Sequence, residues 1–502
     1  MKGGRRCGVL LHVSSLPCRH GLGDFGPNAH EFIDFLAQSG QSLWQMLPLA
    51  PINAGAGNSP YSSYSAFGGN TLFISPELLV REGILRAEDA AHPPFFLPDR
   101  VDYAAAAAWR LKLLEQAFDN VFPHLRSDAA FQCFCRESGF WLEDYCLFMA
   151  LKHEQEGAPW FRWPRELRLR DAGALERARE RLGYEILRER YFQYLFARHW
   201  KVLRDYAALR GVVLLGDVPI YVSLDSSDVW SHRELFELDD AGLPIYCAGA
   251  PPDYFSETGQ MWGNPVYDWA FQARDGYAWW AERLSQESRR FDMIRLDHFR
   301  GFCGFWQVPA CEPTAENGVW IPGPGEAFFT SMQARIPELS LLAEDLGVIT
   351  EDVTALMRTF EFPGMKILQF AFSPDMGKNS YIPHNIPLHS AVYTGTHDNN
   401  TVRGWFADEL DKEGRGRLCS YAGREVDGYS AADVLIRMAL GSVADLAVIP
   451  MQDYLNLGGE GRMNMPGVAG GNWSWRMRAD AMTDDLTLRM RTLSAIYGRL
   501  PE

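Results

Sequence analysis

Three carboxylates each stand where a short apolar run gives way to a polar segment: Asp297 in DMIRLDHFRGF (292–302), Glu344 in LSLLAEDLGVIT (339–350) and Asp398 in AVYTGTHDNNT (391–401). Acids at the C-terminal ends of buried strands are how catalytic groups are presented at the rim of a parallel β-barrel. Three of them on three strand ends suit glycosyl transfer, in which one carboxylate attacks, a second delivers a proton and a third supports the charged sugar. Arg295 precedes Asp297 by two residues, on the same face of the strand, because side chains alternate with period two. A guanidinium there keeps an aspartate ionised, as a nucleophile requires; a purely structural ion pair has the same spacing. Glu344 closes the apolar run SLLA, and burial raises a carboxyl pKa as a general acid needs. The alternative is an ordinary acid at a helix start, near the positive end of the macrodipole. Asp345 follows at once and should point the other way. Asp217, in LLGDVPIYV, is a fourth rim acid that can support the site or pair with Arg295. His397, Asp398 and their asparagine neighbours are also types that bind a divalent ion, but no second cluster of fitting spacing accompanies them, and no metal is expected.

The elements that must position these groups are eight short apolar runs, near 7–12, 43–48, 212–217, 292–297, 340–344, 366–370, 391–396 and 445–450. Most lack polar alternation, as strands buried on both faces do. Between most of them lie segments of helical period. Residues 28–39 place Phe32, Ile33, Phe35 and Leu36 on one face, with Asn28 as the expected N-cap and Gly40 as the stop. Residues 184–210 align Phe192, Phe196, Trp200 and Leu203. The alternation argues an α/β fold of the (β/α)8 TIM-barrel type. Such a barrel needs only about 250 residues, so large insertions at the catalytic rim are expected, one of them mainly helical. The expected division is a discontinuous catalytic barrel over 1–79 and 201–502, a mainly helical insertion over 80–200, and a loop-rich insertion over 219–291 walling the cleft.

With 502 residues, 47% of them hydrophobic, the chain can bury a large core. A net charge of −16 and the absence of a basic stripe argue against nucleic-acid binding. The start, MKGGRRCGVLLHVSSL, has too short an apolar run for a signal peptide, and no stretch approaches the length of a membrane span. Nine scattered cysteines without a C-x-x-C fit free thiols in a reducing cytosol, hence a cytoplasmic location. Several aromatic residues fall in Gly/Pro/Asn-rich loops rather than in core-like runs: Tyr61, Tyr64, Tyr254, Phe255, Trp262, Trp473 and Trp475. Flat rings on loops suit a sugar-binding cleft.

Taken together the motifs resemble the amylomaltases, the 4-α-glucanotransferases or disproportionating enzymes related to the α-amylase superfamily. The resemblance runs almost end to end, through HVSSLPCRHGLGDFG (12–26), GNSPYSSYSAFGGN (57–70), GDVPIYV (216–222), PPDYFSETGQMWGNPVYDW (251–269), the three acid-bearing segments and RMNMPG (462–467). It implies Asp297 as the nucleophile of a covalent glucosyl-enzyme, Glu344 as acid and then base, and Asp398 as the group holding two hydroxyls of the sugar at the cleavage point. It implies Tyr61, Asp217, Trp262, Arg295, His397 and Asn464 as substrate-binding residues, with Tyr254 and Phe255 on a loop arching over the cleft. The implied substrates are α-1,4-glucans and maltooligosaccharides, with glucose or maltodextrins as acceptors and no cofactor.

The implied reaction is retaining, which requires the Asp297 and Glu344 carboxyls to lie about 5–5.5 Å apart. A hydrolase with the same three acids and a non-catalytic glucan-binding protein on the same fold are the competing readings. A metal-dependent sugar isomerase is more distant.

Overall fold

The computed structural model describes residues 4–252, 256–347, 349–468 and 470–501. Eight strands form one parallel sheet: β1 (Arg6–Leu10), β2 (Leu43–Gln45), β3 (Val213–Val218), β4 (Met293–Leu296), β5 (Leu341–Ala343), β6 (Gly364–Ile367), β7 (Ser390–Tyr393) and β8 (Leu446–Pro450). The hydrogen-bonded order is β6-β7-β8-β1-β2-β3-β4-β5, so the sheet curls back on itself as a barrel with one seam, between β5 and β6. All eight apolar runs supply a strand. Their missing alternation has a direct cause: nearly every strand residue is buried, with side chains inside the barrel on one face and under helices on the other.

The helix Pro27–Gln38 joins β1 to β2 and buries Phe32, Ile33, Phe35 and Leu36. Its N-cap is Gly26, not Asn28, because Pro27 takes the first helical position. The Asn28 side chain instead donates to the Pro17 carbonyl. At the other end Gly40 adopts a φ of 73°; its N–H donates to Ala37 O and that of Gln41 to Leu36 O, a Schellman closure.

Between β2 and β3 the chain leaves the barrel through a series of helices, including Tyr103–Val121, Gly139–Glu154 and the 27-residue Gly183–Leu209. Phe192, Phe196, Trp200 and Leu203 are all buried on the last of these. Two features depart from expectation. The 219–291 stretch is not merely loop-rich: Tyr246–Ala250 and Gln260–Pro265 join Gly304–Pro309 and Val319–Pro322 in a four-stranded antiparallel sheet. These strands are partly exposed and contain Gly249, Gly263 and Pro265, so neither period nor composition marks them. Between β6 and β7 no α-helix forms, only short 3-10 turns. Pro374, Pro383 and Pro387 remove the donors a helix there would need. No helix among the described residues is long and apolar enough to cross a membrane.

Candidate active site

The floor of the site is built on one guanidinium. Asp217 and Arg295 are register partners on β3 and β4. Arg295 Nη1 donates to both carboxylate oxygens of Asp217, at 2.7 and 2.8 Å, while its Nη2 lies 2.7 Å from Asp297 Oδ1. The Tyr61 hydroxyl completes the cluster by donating to Asp217 Oδ2 at 2.7 Å. Burial pulls the Arg295 guanidinium down, but Asp217 and Asp297 outweigh it and hold it well above its ordinary range. The Arg295–Asp297 ion pair is thus present, and Arg295 is shared with Asp217. Asp217 and Arg295 are buried beneath the floor, whereas Asp297, 28% exposed at its side chain, opens upward.

His298 follows Asp297 with a φ of 49° and a ψ of 52°, in the left-handed region. That kink turns its backbone N–H to Glu344 Oε2, at 2.8 Å, and Leu346 N–H donates to Glu344 Oε1 at 2.8 Å. Glu344 is therefore anchored against the residue that follows Asp297. It is no helix-start acid, since the next helix begins at Glu351. Burial, reinforced by the Asp297 charge and opposed by Arg295 and the two N–H groups, pushes its carboxyl up to about 7. Near neutral pH it can both give and take a proton. The His298 ring, lowered by burial to about 4, is neutral there and meets the Trp262 ring edge-on at 4.8 Å.

Asp398 projects from the loop after β7, which is folded by Thr396 N–H and Oγ1–H donating to Asn399 Oδ1 at 2.9 and 3.0 Å. Asn464 Nδ2 donates to Asp398 Oδ1 at 2.6 Å, and His397 Nε2 lies 3.4 Å from Asp398 Oδ2. The Asn464 N–H also donates to His397 O at 3.1 Å, so the 462–467 segment fixes both neighbours. The His397 ring stacks on Tyr61 at 5.2 Å, and Trp473 lies 5.9 Å from each.

Asp297, Glu344, Asp398, Tyr61, Trp262, His397 and Asn464 line one open groove of about 530 Å³. Asp217 and Arg295 support it from below. Tyr254 and Phe255 lie outside the described residues. Sequence reasoning counted Trp473 among the loop rings suited to a cleft but assigned neither it nor His298 a role in the site. The signal for Trp473 was its position in a Gly/Asn-rich loop, and for His298 its place directly after a rim acid. Among the described residues no group of three or more His, Cys, Asp or Glu is arranged to hold a metal ion.

Replacing Arg295 by Met would leave two carboxylates facing each other without a counter-charge. A stability loss of about 3–5 kcal/mol is expected on chemical denaturation. Arg295→Lys should rescue only part, because an ammonium lacks the fork that reaches both acids. An unfolding free energy for Arg295→Met close to that of the unaltered chain would show that the cluster does not hold the floor together.

A groove with an aspartate paired to a buried arginine, a buried glutamate whose carboxyl is raised to about 7, a third, half-exposed acid and an aromatic wall has the parts that retaining glycosyl transfer uses. A family model described as 4-alpha-glucanotransferase matches residues 11–483. The chain is 43% identical over 495 residues to the 4-alpha-glucanotransferase of Aquifex aeolicus, covering 99% of both chains. It is 44% identical over 507 residues to that of Thermus thermophilus, again covering 99% of each. In structure it resembles an amylomaltase from Streptococcus agalactiae solved with acarbose, with a TM-score of 0.96, 36% identity and coverage of 99% of this chain and 100% of that one.

Proposed function

The chain belongs to the 4-alpha-glucanotransferase family, and from that membership we propose how its groove moves a segment of one α-1,4-glucan onto another. Glu344, protonated, gives its proton to the glycosidic oxygen while Asp297 attacks the anomeric carbon. The C–O bond breaks, the shortened glucan leaves, and a covalent glucosyl-enzyme remains. The 4-hydroxyl of a glucose or maltodextrin acceptor then attacks the same carbon. Glu344 takes its proton, Asp297 departs with its electron pair, and a new α-1,4 bond forms. Asp398, steadied by Asn464 and His397, holds the hydroxyls of the reacting sugar. Tyr61 and Trp262 pack on sugar faces, and Asp217 and Arg295 act by fixing Asp297 and Tyr61.

The observation that carries this reading is the hydrogen bond from the N–H after Asp297 to Glu344, which sets the two acids beside one groove. Incubation with maltotriose tests it. Transfer yields glucose and a ladder of longer maltooligosaccharides with almost no new reducing ends; new reducing ends without a ladder would assign a hydrolase instead. Tyr254 and Phe255 are proposed to favour acceptor over water. Their double replacement by alanine should raise hydrolysis relative to transfer, and an unchanged ratio counts against that role. The division into a barrel over 1–79 and 201–502, a helical insertion over 80–200 and a cleft-walling insertion over 219–291 is likewise proposed, as is a cytoplasmic location.

A further inference from the structure

The barrel seam lies immediately behind the proposed acid/base. Each neighbouring pair of strands around the barrel shares a ladder except β5 and β6, where Ala343 N–H donates to Pro363 O at 2.9 Å. Outside this gap the flank opens into a surface cavity of about 1080 Å³, lined in part by Asp345, Gly364, Lys366 and Tyr381. Asp345 bridges the seam. Its Oδ1 accepts the Met365 N–H at 2.5 Å, and its Oδ2 accepts the Lys366 ammonium at 2.8 Å, both from β6. A Cβ at Gly364 would come within 2.7 Å of both carboxylate oxygens, so β6 begins with the one residue that admits them. The Lys366 ammonium also lies 5.6 Å from the Tyr381 ring centroid.

Glu344, by contrast, is oriented by backbone N–H groups, one of them in its own turn. Its aim is therefore only as firm as the 343–346 backbone. On its β4 side that backbone is held by Glu344 N–H donating to Leu296 O at 3.0 Å and by Phe299 N–H donating to Glu344 O at 3.2 Å. On its β6 side no ladder forms, and beyond the single bond from Ala343 N–H to Pro363 O its attachment is the charge-assisted pair at Asp345. We infer that Asp345, paired with Lys366 and the Met365 N–H, is a positioning residue that closes the open seam and thereby aims Glu344 into the groove. The inference rests on the reading of Glu344 as acid/base. Small misplacements of a proton-transfer group are enough to slow a reaction strongly.

The test compares two donor reactions in Asp345→Asn and Lys366→Met. Transfer from maltotriose needs Glu344 in both steps. Reaction of α-maltosyl fluoride with azide needs it in neither, since fluoride leaves unprotonated and azide arrives without a proton to remove. Asp345→Asn should lower kcat on maltotriose roughly 10- to 100-fold. KM and the fluoride–azide rate should both hold within about threefold, since neither depends on Glu344 as acid or base. Lys366→Met should move the same way by less, and it carries the comparison alone if Asp345→Asn does not fold. Equal losses on both donors, or no loss on maltotriose, would overturn the inference. Glu344→Gln run alongside separates the two ideas. If it shows the donor split and the seam variants do not, only the inference fails. If it keeps full maltotriose activity, the acid/base reading fails and the inference with it.

Discussion

Asp297→Asn is expected to lower kcat for maltooligosaccharide transfer by at least about 10⁴-fold, because without the carboxylate no covalent intermediate forms. Affinity for a long maltooligosaccharide, read by calorimetry, should change little. The amide keeps the shape of the side chain, and the rings and polar groups that line the groove are untouched. The substitution also removes the charge that helps to raise Glu344, while the attraction of Arg295 remains. The Glu344 carboxyl should therefore titrate below its present value in the variant. Retention of more than about 1% of turnover would be incompatible with nucleophilic attack by this residue.

Glu344→Gln is expected to cost about 10²- to 10⁴-fold in kcat on maltotriose, the usual contribution of a positioned proton donor. In the unaltered enzyme kcat/KM should fall as pH rises through about 7, where the acid loses its proton, and Glu344→Gln should abolish that limb. The same shift has a consequence for stability. The folded carboxyl titrates near 7 and the unfolded one near 4.5. The protonated form is thus favoured in the fold; its contribution is complete below 4.5 and is lost as pH rises through 7. Glu344→Gln should therefore raise Tm at pH 8 and have little effect at pH 4, a gain in stability bought with activity. A pH-independent kcat/KM between 5 and 9 in the unaltered chain would exclude Glu344 as the acid.

What the sequence disclosed follows from how each feature is encoded. The barrel strands were readable because burial on both faces writes a continuous apolar run, and the rim acids because each such run ends abruptly in a charge. The antiparallel sheet was not readable, since its strands are partly exposed and interrupted by glycine and proline. Arg295–Asp297 was visible as a spacing on one strand. That the same guanidinium also grips Asp217 depends on the register of β3 against β4, which no local pattern records. Asn28 looked like a cap because its residue type suits that position, but the helix starts at Pro27, two residues earlier than a cap at Asn28 would place it. The left-handed His298 is a further case. Nothing in its neighbours marks the kink, yet it supplies the N–H that orients Glu344.

The helical excursion between β2 and β3 sets the timetable of synthesis. As the nascent chain leaves the ribosome, β2 can meet β1 almost at once, but its other edge waits until Val213 has been made. At translation speeds of about 5–20 residues per second the delay lasts roughly 10–30 s. The intervening helices pack largely on one another and can form within that interval, before the edge of β2 is closed by β3.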